Sequence, residues 1–483
     1  MVIDTPLVEA AITPLGGRLA SLRLKRYRTE VGAESSPLDM ISLSAARDLP
    51  LGTVLRGQST WSDGDVVYTT SANSLRVTAG ESAELVLKGA TADGISVEKT
   101  LRFSGDSYAF GLALKVTEPA DRGFTEAGLR WTHKPNLSTA RYSFHGAEAL
   151  VGGKLTHWSD GDLEQGVILP DPRNAAAAPP VIHWAGYSDT YFLSAVVPRD
   201  EDPVRLWLKK ESEEVFSEIL VPIATTAKQP YPFEVYAGPK DLHALELAGH
   251  HLQRTVDLGW FSFVAEPMLR LLKLFHTFTG NYGIDVILLT LLVKLATVPL
   301  TQKSFRSMQE MQKLQPQMKR LQEKYADDRE TLNKEVMELY RRHNVNPLGG
   351  CLPMVVQMPI FIGLYNALLS AVELRHAPFM LWINDLSAPD RLPPAPHPPL
   401  AVIAGTDIRI PVLTLLMGVS MLAQQRMTPQ TGDPTQQRMM MLMPLVFTVM
   451  FINFPSGLAL YWLVNNVLTI AQQLFLQRAA KKP

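Results

Sequence analysis

The sequence has a single cysteine, Cys351, which excludes an internal disulfide framework and any multi-cysteine zinc or iron–sulfur site. It lacks a charge imbalance as well. With 46 Lys and Arg against 47 Asp and Glu, no whole-chain field is available to hold nucleic acid, and none is expected as a direct partner. Glycine (31) and proline (35) are too sparse among 483 residues for a collagen-like or low-complexity chain. No HExxH, GxSxG, phosphate loop or nucleotide-binding signature occurs, so no catalytic residue, metal or cofactor is expected. Cys351 reads as a packing thiol near a span end.

What is present falls into two halves with different solvents. From about Leu7 to Leu247 no stretch is long and apolar enough to cross a bilayer, and the pattern has period two. Apolar and polar residues alternate through Ser96-Val97-Glu98-Lys99-Thr100-Leu101-Arg102-Phe103, as a half-buried strand requires. Glu84 to Lys88 precedes it, with a hairpin-type turn at Asp93-Gly94. Tyr108 to Val116, Val181 to Val197 and Val204 to Lys209 read alike, which predicts a large antiparallel sandwich.

After Asp241 helical spacing takes over. Met268, Leu271, Leu272, Phe275 and Phe278 share a face within Glu266 to Thr279, a helix that either lies along a membrane surface or packs as a linker. Five spanning stretches follow: Tyr282 to Leu300, Leu348 to Val372, Ile408 to Gln425, Met439 to Phe454 and Leu458 to Leu476. The first, at about 28 Å of helix, matches a hydrocarbon core of about 30 Å. Pro455-Ser456-Gly457 must turn tightly between the last two. Between Lys303 and Arg342, apolar residues at steps of three and four, interrupted at Asp327-Asp328, predict two antiparallel amphipathic helices. Methionines on this hairpin and at Met439 to Met443 fit adaptable binding or plain core.

Orientation follows from basic residues in short loops. The loops and tail on one side carry fifteen Lys and Arg, ten of them between Lys303 and Arg342, against Arg375 and Arg391 on the other. The richer side is cytoplasmic, which puts the β domain outside and the C-terminus inside. Met1-Val2-Ile3-Asp4 offers no export signal, so either an N-terminal signal anchor is expected to precede this sequence, which is the favoured reading, or its true start lies elsewhere.

Lys294 is the most informative residue, alone among charges between Val286 and Leu300. A lysine near a span centre costs about 2.5 to 3.5 kcal/mol on insertion scales, so it marks function unless it snorkels to nearby headgroups. Thr290 and Thr297 share its face. Gln357 lies mid-span, and Tyr461, Asn465, Leu468 and Gln472 recur along the last helix, with Asn466 and Gln473 beside them. These groups either meet around a hydrated cavity or glue helices together. No Asp or Glu lies deep in a span, so no ion relay is predicted. A small-solute transporter or channel is the rival reading. A carbohydrate enzyme using His133 or His145 is a weaker one, lacking any motif.

Asn346-Pro347-Leu348-Gly349-Gly350-Cys351, Gln357-Met358-Pro359-Ile360-Phe361, Leu314-Gln315-Pro316, Phe454-Pro455-Ser456-Gly457-Leu458 and Tyr461-Trp462 resemble the signatures of the YidC family of bacterial membrane protein insertases, in order from Thr255 to about Arg478. Gly16-Gly17 and Trp184 to Pro198 are similar, more loosely, to the periplasmic domain of its Gram-negative members. The resemblance implies an N-terminal all-β supersandwich related to sugar mutarotases (1–250), a linker and interfacial helix (251–281), a bundle of five transmembrane helices (282–478) with a cytoplasmic hairpin (303–343), and a short basic tail (479–483). It implies an inner-membrane insertase with a hydrophilic groove, whose cation is Lys294 where the family usually has Arg. The groove's polar lining would include Thr290, Gln357, Asn465 and Gln472, and its client contacts Met358, Phe361, Tyr461 and Trp462. Nascent membrane proteins, the Sec translocon, the lipid bilayer and, more weakly given the tail at Lys481-Lys482-Pro483, the ribosome are the implied partners.

Overall fold

Alternation in the first half buries one face of each strand. Along Ser96–Ser104 the inward residues are Val97, Lys99, Leu101 and Phe103, so the period-two pattern holds but carries a lysine inward with the apolar groups. The computed structural model describes the chain except residues 33, 44, 46, 119–121, 135–144, 171–179, 199–203, 224–228, 327, 344, 346–351, 393–400, 404–405, 428–433 and 481–483, and except the side chains of 329, 352–354, 401–403, 406–408, 434–438 and 479–480. The Asn346 to Cys351 motif, Asp327 and the Lys481-Lys482-Pro483 tail therefore lie outside the described residues. Two compact units result, Met1–Val256 and Asp257–Pro483.

The first unit is a large all-β domain. Nine-, six- and five-stranded sheets compose it, antiparallel except where Val2–Asp4 runs parallel to Ser74–Arg76. Ser96–Ser104 pairs with Ser82–Ala90 on one side and Ala109–Thr117 on the other, and the turn in the first hairpin uses Gly94 at φ 92°. Strand Ile182–Ser188 of the nine-stranded sheet contacts Glu214–Pro222 of the six-stranded one, and Trp184 and Trp131, one from each sheet, are fully buried. Helix α1 (Asp160–Gln165) is short and α2 (Leu242–Ala248) closes the unit. As a compact unit it runs to Val256. Thr255 Oγ1 bonds the buried Glu148 carboxylate and Arg254 bonds the Gly153 carbonyl, which keeps this turn on the β domain.

A charged cluster sits inside it. Asp63 accepts from Arg18 (3.0 Å) and Tyr68 (2.9 Å) and pairs with Lys99 at 2.7 Å, all four residues being essentially out of solvent. Lys99 Nζ also donates to the carbonyls of Leu51 (2.7 Å) and Gly16 (2.9 Å). A Cβ at Gly52 would stand 2.6 Å from an Arg18 nitrogen, so a side chain there would have to shift the guanidinium that bonds Asp63.

The second unit is helical: α3 (Ser262–Thr279), α4 (Tyr282–Lys313), α5 (Gln315–Lys324), α6 (Arg329–Arg342), α7 (Leu352–Ser370), α8 (Val412–Met427), α9 (Pro434–Phe451) and α10 (Ser456–Ala480). One correction concerns α4. The first span and the first arm of the hairpin form a single helix, because no glycine interrupts Thr301 to Lys313 and the internal Pro299 does not break it; the helix stops only before Pro316. Its 32 residues, about 48 Å, exceed a hydrocarbon core. Met311, Leu314 and Val345 form a small core with Leu339 and Tyr340, and Tyr340 OH reaches Met318 Sδ at 2.9 Å, joining α5 and α6.

Among the described residues α4 alone is long and apolar enough to cross a membrane, with shorter apolar stretches at Val355–Ser370 and Met439–Phe451. Helix α8 has 16 residues, about 24 Å, and α10 carries Asn465, Asn466, Gln472 and Gln473 within its 25. The bundle is capped at one end by loops. Asn281 Oδ1 accepts from the amides of Gly283 (2.9 Å) and Ile284 (3.2 Å), while its Nδ2 donates to Phe379 O at 3.0 Å. Ser456 and Gly457 amides donate to the carbonyls of Ala388 and Leu386, and buried Asp390 accepts from Trp382 Nε1 and the Thr414 amide.

Candidate functional site

Helices α4, α7 and α10 contact one another. On α4, three threonines turn their hydroxyls to their own helix: Thr290 to Val286 O (2.6 Å), Thr297 to Val293 O (3.0 Å) and Thr301 to Thr297 O (2.9 Å). Each hydroxyl proton is committed there, and Thr290, although buried, forms no hydrogen bond with Lys294. Lys294 leaves the helix half-buried and crosses to α10, where its Nζ donates to Thr469 Oγ1 at 2.7 Å. Thr469 in turn donates its proton to Asn465 O at 2.6 Å. Among the described residues no carboxylate lies within ion-pair distance of Lys294.

Two turns further toward the capped end, Gln357 Nε2 donates to Tyr461 OH at 2.8 Å, joining α7 to α10. Tyr461 is 2% exposed. Beside it Trp462 stands edge-on to Phe361 at 4.7 Å and packs with Phe447 and Phe451, while Phe454 stacks on Phe451. Met358, one residue past Gln357, is half exposed. One face of α10 thus carries polar contacts at Tyr461, Asn465 and Thr469, then Gln472, whose amide nitrogen and oxygen are both buried without a hydrogen-bond partner among the described residues.

The structure brings some of the expected groups together and separates others. Gln357 meets Tyr461, and Phe361 meets Trp462. Asn465 enters through its backbone carbonyl. Asn466 points elsewhere, donating to Ser420 Oγ on α8 at 2.9 Å, which is the helix-joining role. Thr469 was missed in favour of its neighbour Leu468; stepping by four from Tyr461 through Asn465 would have found it. Asp285 was also missed. It lies within the first span, one turn from its start, fully buried, with Thr279 Oγ1 bonded to one oxygen and His276 Nδ1 2.9 Å from the other. The sequence expectation concerned acids deep in a span; Asp285 sits instead at this helix end, where the positive pole of α4 and two side chains receive the carboxylate.

Residues 274–483 match the protein family described as 60Kd inner membrane protein, and residues 1–271 match the YidC periplasmic domain. The membrane protein insertase YidC of Geobacter sulfurreducens is 39% identical over 483 residues, covering 99% of this chain and 86% of that one. The chain belongs to the YidC family of membrane protein insertases. The YidC of Nitratidesulfovibrio vulgaris is likewise 39% identical, over 99% of this chain and 86% of its own. A solved structure of an active YidC insertase with its first transmembrane domain resolved aligns over 97% of this chain and 91% of that one, at 17% identity and a TM-score of 0.39. Family membership makes the protein an insertase integral to the inner membrane, with a periplasmic β domain preceding a helical region; the YidC family is not enzymatic.

Proposed function

We propose that this YidC-family chain inserts short apolar nascent proteins through the polar face shared by α4, α7 and α10, with Lys294 as the charge that receives a client's polar segment. The observation that carries the reading is the state of that lysine: held between two apolar helices, bonded to one neutral hydroxyl, and without a counter-ion among the described residues. An ammonium has three donors, so two N–H groups of Lys294 remain for a ligand or for water beyond that bond. A carboxylate in a client tail is the natural acceptor. Gln472, Gln357 and Met358 extend the same face, and the aromatic group around Trp462 closes it toward the capped end. The client's apolar helix then gains by entering lipid, at roughly 25 cal/mol per Å² of apolar area removed from water. No nucleotide is spent by the chain itself.

In this reading α4, α7, α8, α9 and α10 are five spans, the basic hairpin made by the end of α4 with α5 and α6 lies in the cytoplasm and receives clients, and the β domain is a mutarotase-like supersandwich facing the periplasm. The concentration of Lys and Arg around the hairpin supports that orientation. Helix α3 rests at the bilayer surface: Trp260 just before it, with Phe263 and Phe278 on it, expose their rings, while Met268, Leu269 and Leu272 are buried. The Sec translocon and the ribosome are its partners in cells. The test is a photoreactive side chain at Met358, with a control at the exposed Val67 of the β domain, during insertion of a radiolabelled client. Adducts at 358 and none at 67 are expected. Absence of client adducts at 358 would refute the pathway.

A further inference from the structure

We infer that Thr469 is the positioning residue that makes a lysine serviceable at position 294, by presenting an oxygen that can only accept. The inference rests on the proposed role of Lys294 as the client-receiving charge. A threonine hydroxyl has one proton and two lone pairs. Here the proton is committed to Asn465 O at 2.6 Å, inside the same helix, which turns the lone pairs toward Lys294 Nζ at 2.7 Å. Thr469 is 7% exposed, and of the two rotamers open to a threonine on a helix its bond to Asn465 O holds one, which places this oxygen before any client arrives.

The consequence is geometric. A lysine carries its charge on four rotatable carbons, and unheld it would sweep between the helix pair and the headgroups. A guanidinium would orient itself by its planar fork, and an ammonium cannot. One bond to Thr469 anchors the nitrogen at mid-helix and leaves two donors uncommitted. Because the anchor is neutral, it fixes position without cancelling the charge, which a carboxylate at the same place would do. Asn465 contributes only its carbonyl, so its side chain is free of this duty.

The test is a double-mutant cycle in the full-length protein, reconstituted in vesicles, with two clients that differ only in an acidic or a neutral exported tail. Lys294→Met lowers insertion of the acidic client relative to the neutral one. Thr469→Val, which keeps the shape and loses the oxygen, lowers the same ratio by about tenfold, in line with the loss of a hydrogen bond to a charged group. Thr469→Ser restores it, and adding Thr469→Val to Lys294→Met causes no further loss. A general packing defect would depress both clients equally and would not be rescued by serine. If Lys294→Met leaves the acidic client unaffected, the charge reading fails and takes this inference with it. If Lys294→Met is defective while Thr469→Val inserts both clients normally, or if the two substitutions lower the ratio independently, the anchor is refuted and the charge reading stands.

Discussion

Two lysines have left bulk water in this molecule, and they are received in opposite ways. Lys99 of the β domain, fully buried, pairs with Asp63 at 2.7 Å and donates to two carbonyls within 3.0 Å, with Arg18 and Tyr68 completing the cluster. Lys294 of the helical unit meets one hydroxyl. The first arrangement consumes all three Lys99 donors, and its charge is internally neutralised so far as one carboxylate can balance two cations. Burial pulls the Lys99 ammonium below its ordinary value and Asp63 opposes that pull; burial and then Asp63 push the Tyr68 phenol up. The second arrangement leaves donors and charge unspent. A charge that is fully received builds the fold, and one that is partly received is available to a ligand.

The largest expected effect breaks the paired side of this comparison. Asp63→Asn leaves Arg18 and Lys99 facing each other without their anion, and should cost the β domain about 3–5 kcal/mol. Urea unfolding followed by hydrogen exchange on Ser96–Ser104 reads it, and a loss below about 1 kcal/mol would mean the cluster is not structural.

A second, smaller effect concerns a neutral group in the same domain. His133 stacks on Tyr187 at 4.2 Å, and burial, aided by His145, lowers its pKa to about 4. The folded state therefore binds a proton less readily than the unfolded chain near 6.5, so this contribution is complete above pH 6.5 and is lost as pH falls toward 4. A decline of about 1–3 kcal/mol across that window is expected. His133→Gln should flatten it, and an unchanged slope in that variant would assign the effect elsewhere.

How much of this was legible in the sequence follows from the range of the interactions. Lys294 was visible because local composition alone makes it anomalous, and Gln357 and Tyr461 because each is polar in an apolar run. The division into a β half and a helical half was equally local. Lys99 was hidden: it occupies an inward position of an alternating strand, and only Asp63, far away in sequence, explains it. Thr469 was hidden because threonine passes unnoticed in a span and its role depends on a residue of another helix. The unbroken α4 was missed because a change from apolar to amphipathic composition looks like a boundary, although nothing in the backbone chemistry of Thr301 to Lys313 stops a helix.

Smaller effects sharpen the other side. Asn466→Leu removes the bond to Ser420 between α10 and α8 and should cost about 1 kcal/mol in detergent unfolding, with insertion of both client types lowered equally or not at all. A selective defect on acidic clients would place Asn466 on the working face instead. Lys294→Met should alter stability least, by less than about 1 kcal/mol and in either direction, because it removes a half-buried charge that no carboxylate balances among the described residues. A loss as large as that of Asp63→Asn would show Lys294 to be architecture.

The most direct measurement is the rate at which proteoliposomes carrying Lys294→Ala insert a client with an acidic exported tail, alongside Lys294→Arg and the unaltered protein. Retention of the rate by the arginine variant and a drop of about tenfold or more in the alanine variant are predicted, from loss of a charge-assisted contact. An alanine variant that inserts the acidic client as fast as the unaltered protein would contradict the claim that this lysine is held in reserve for the client.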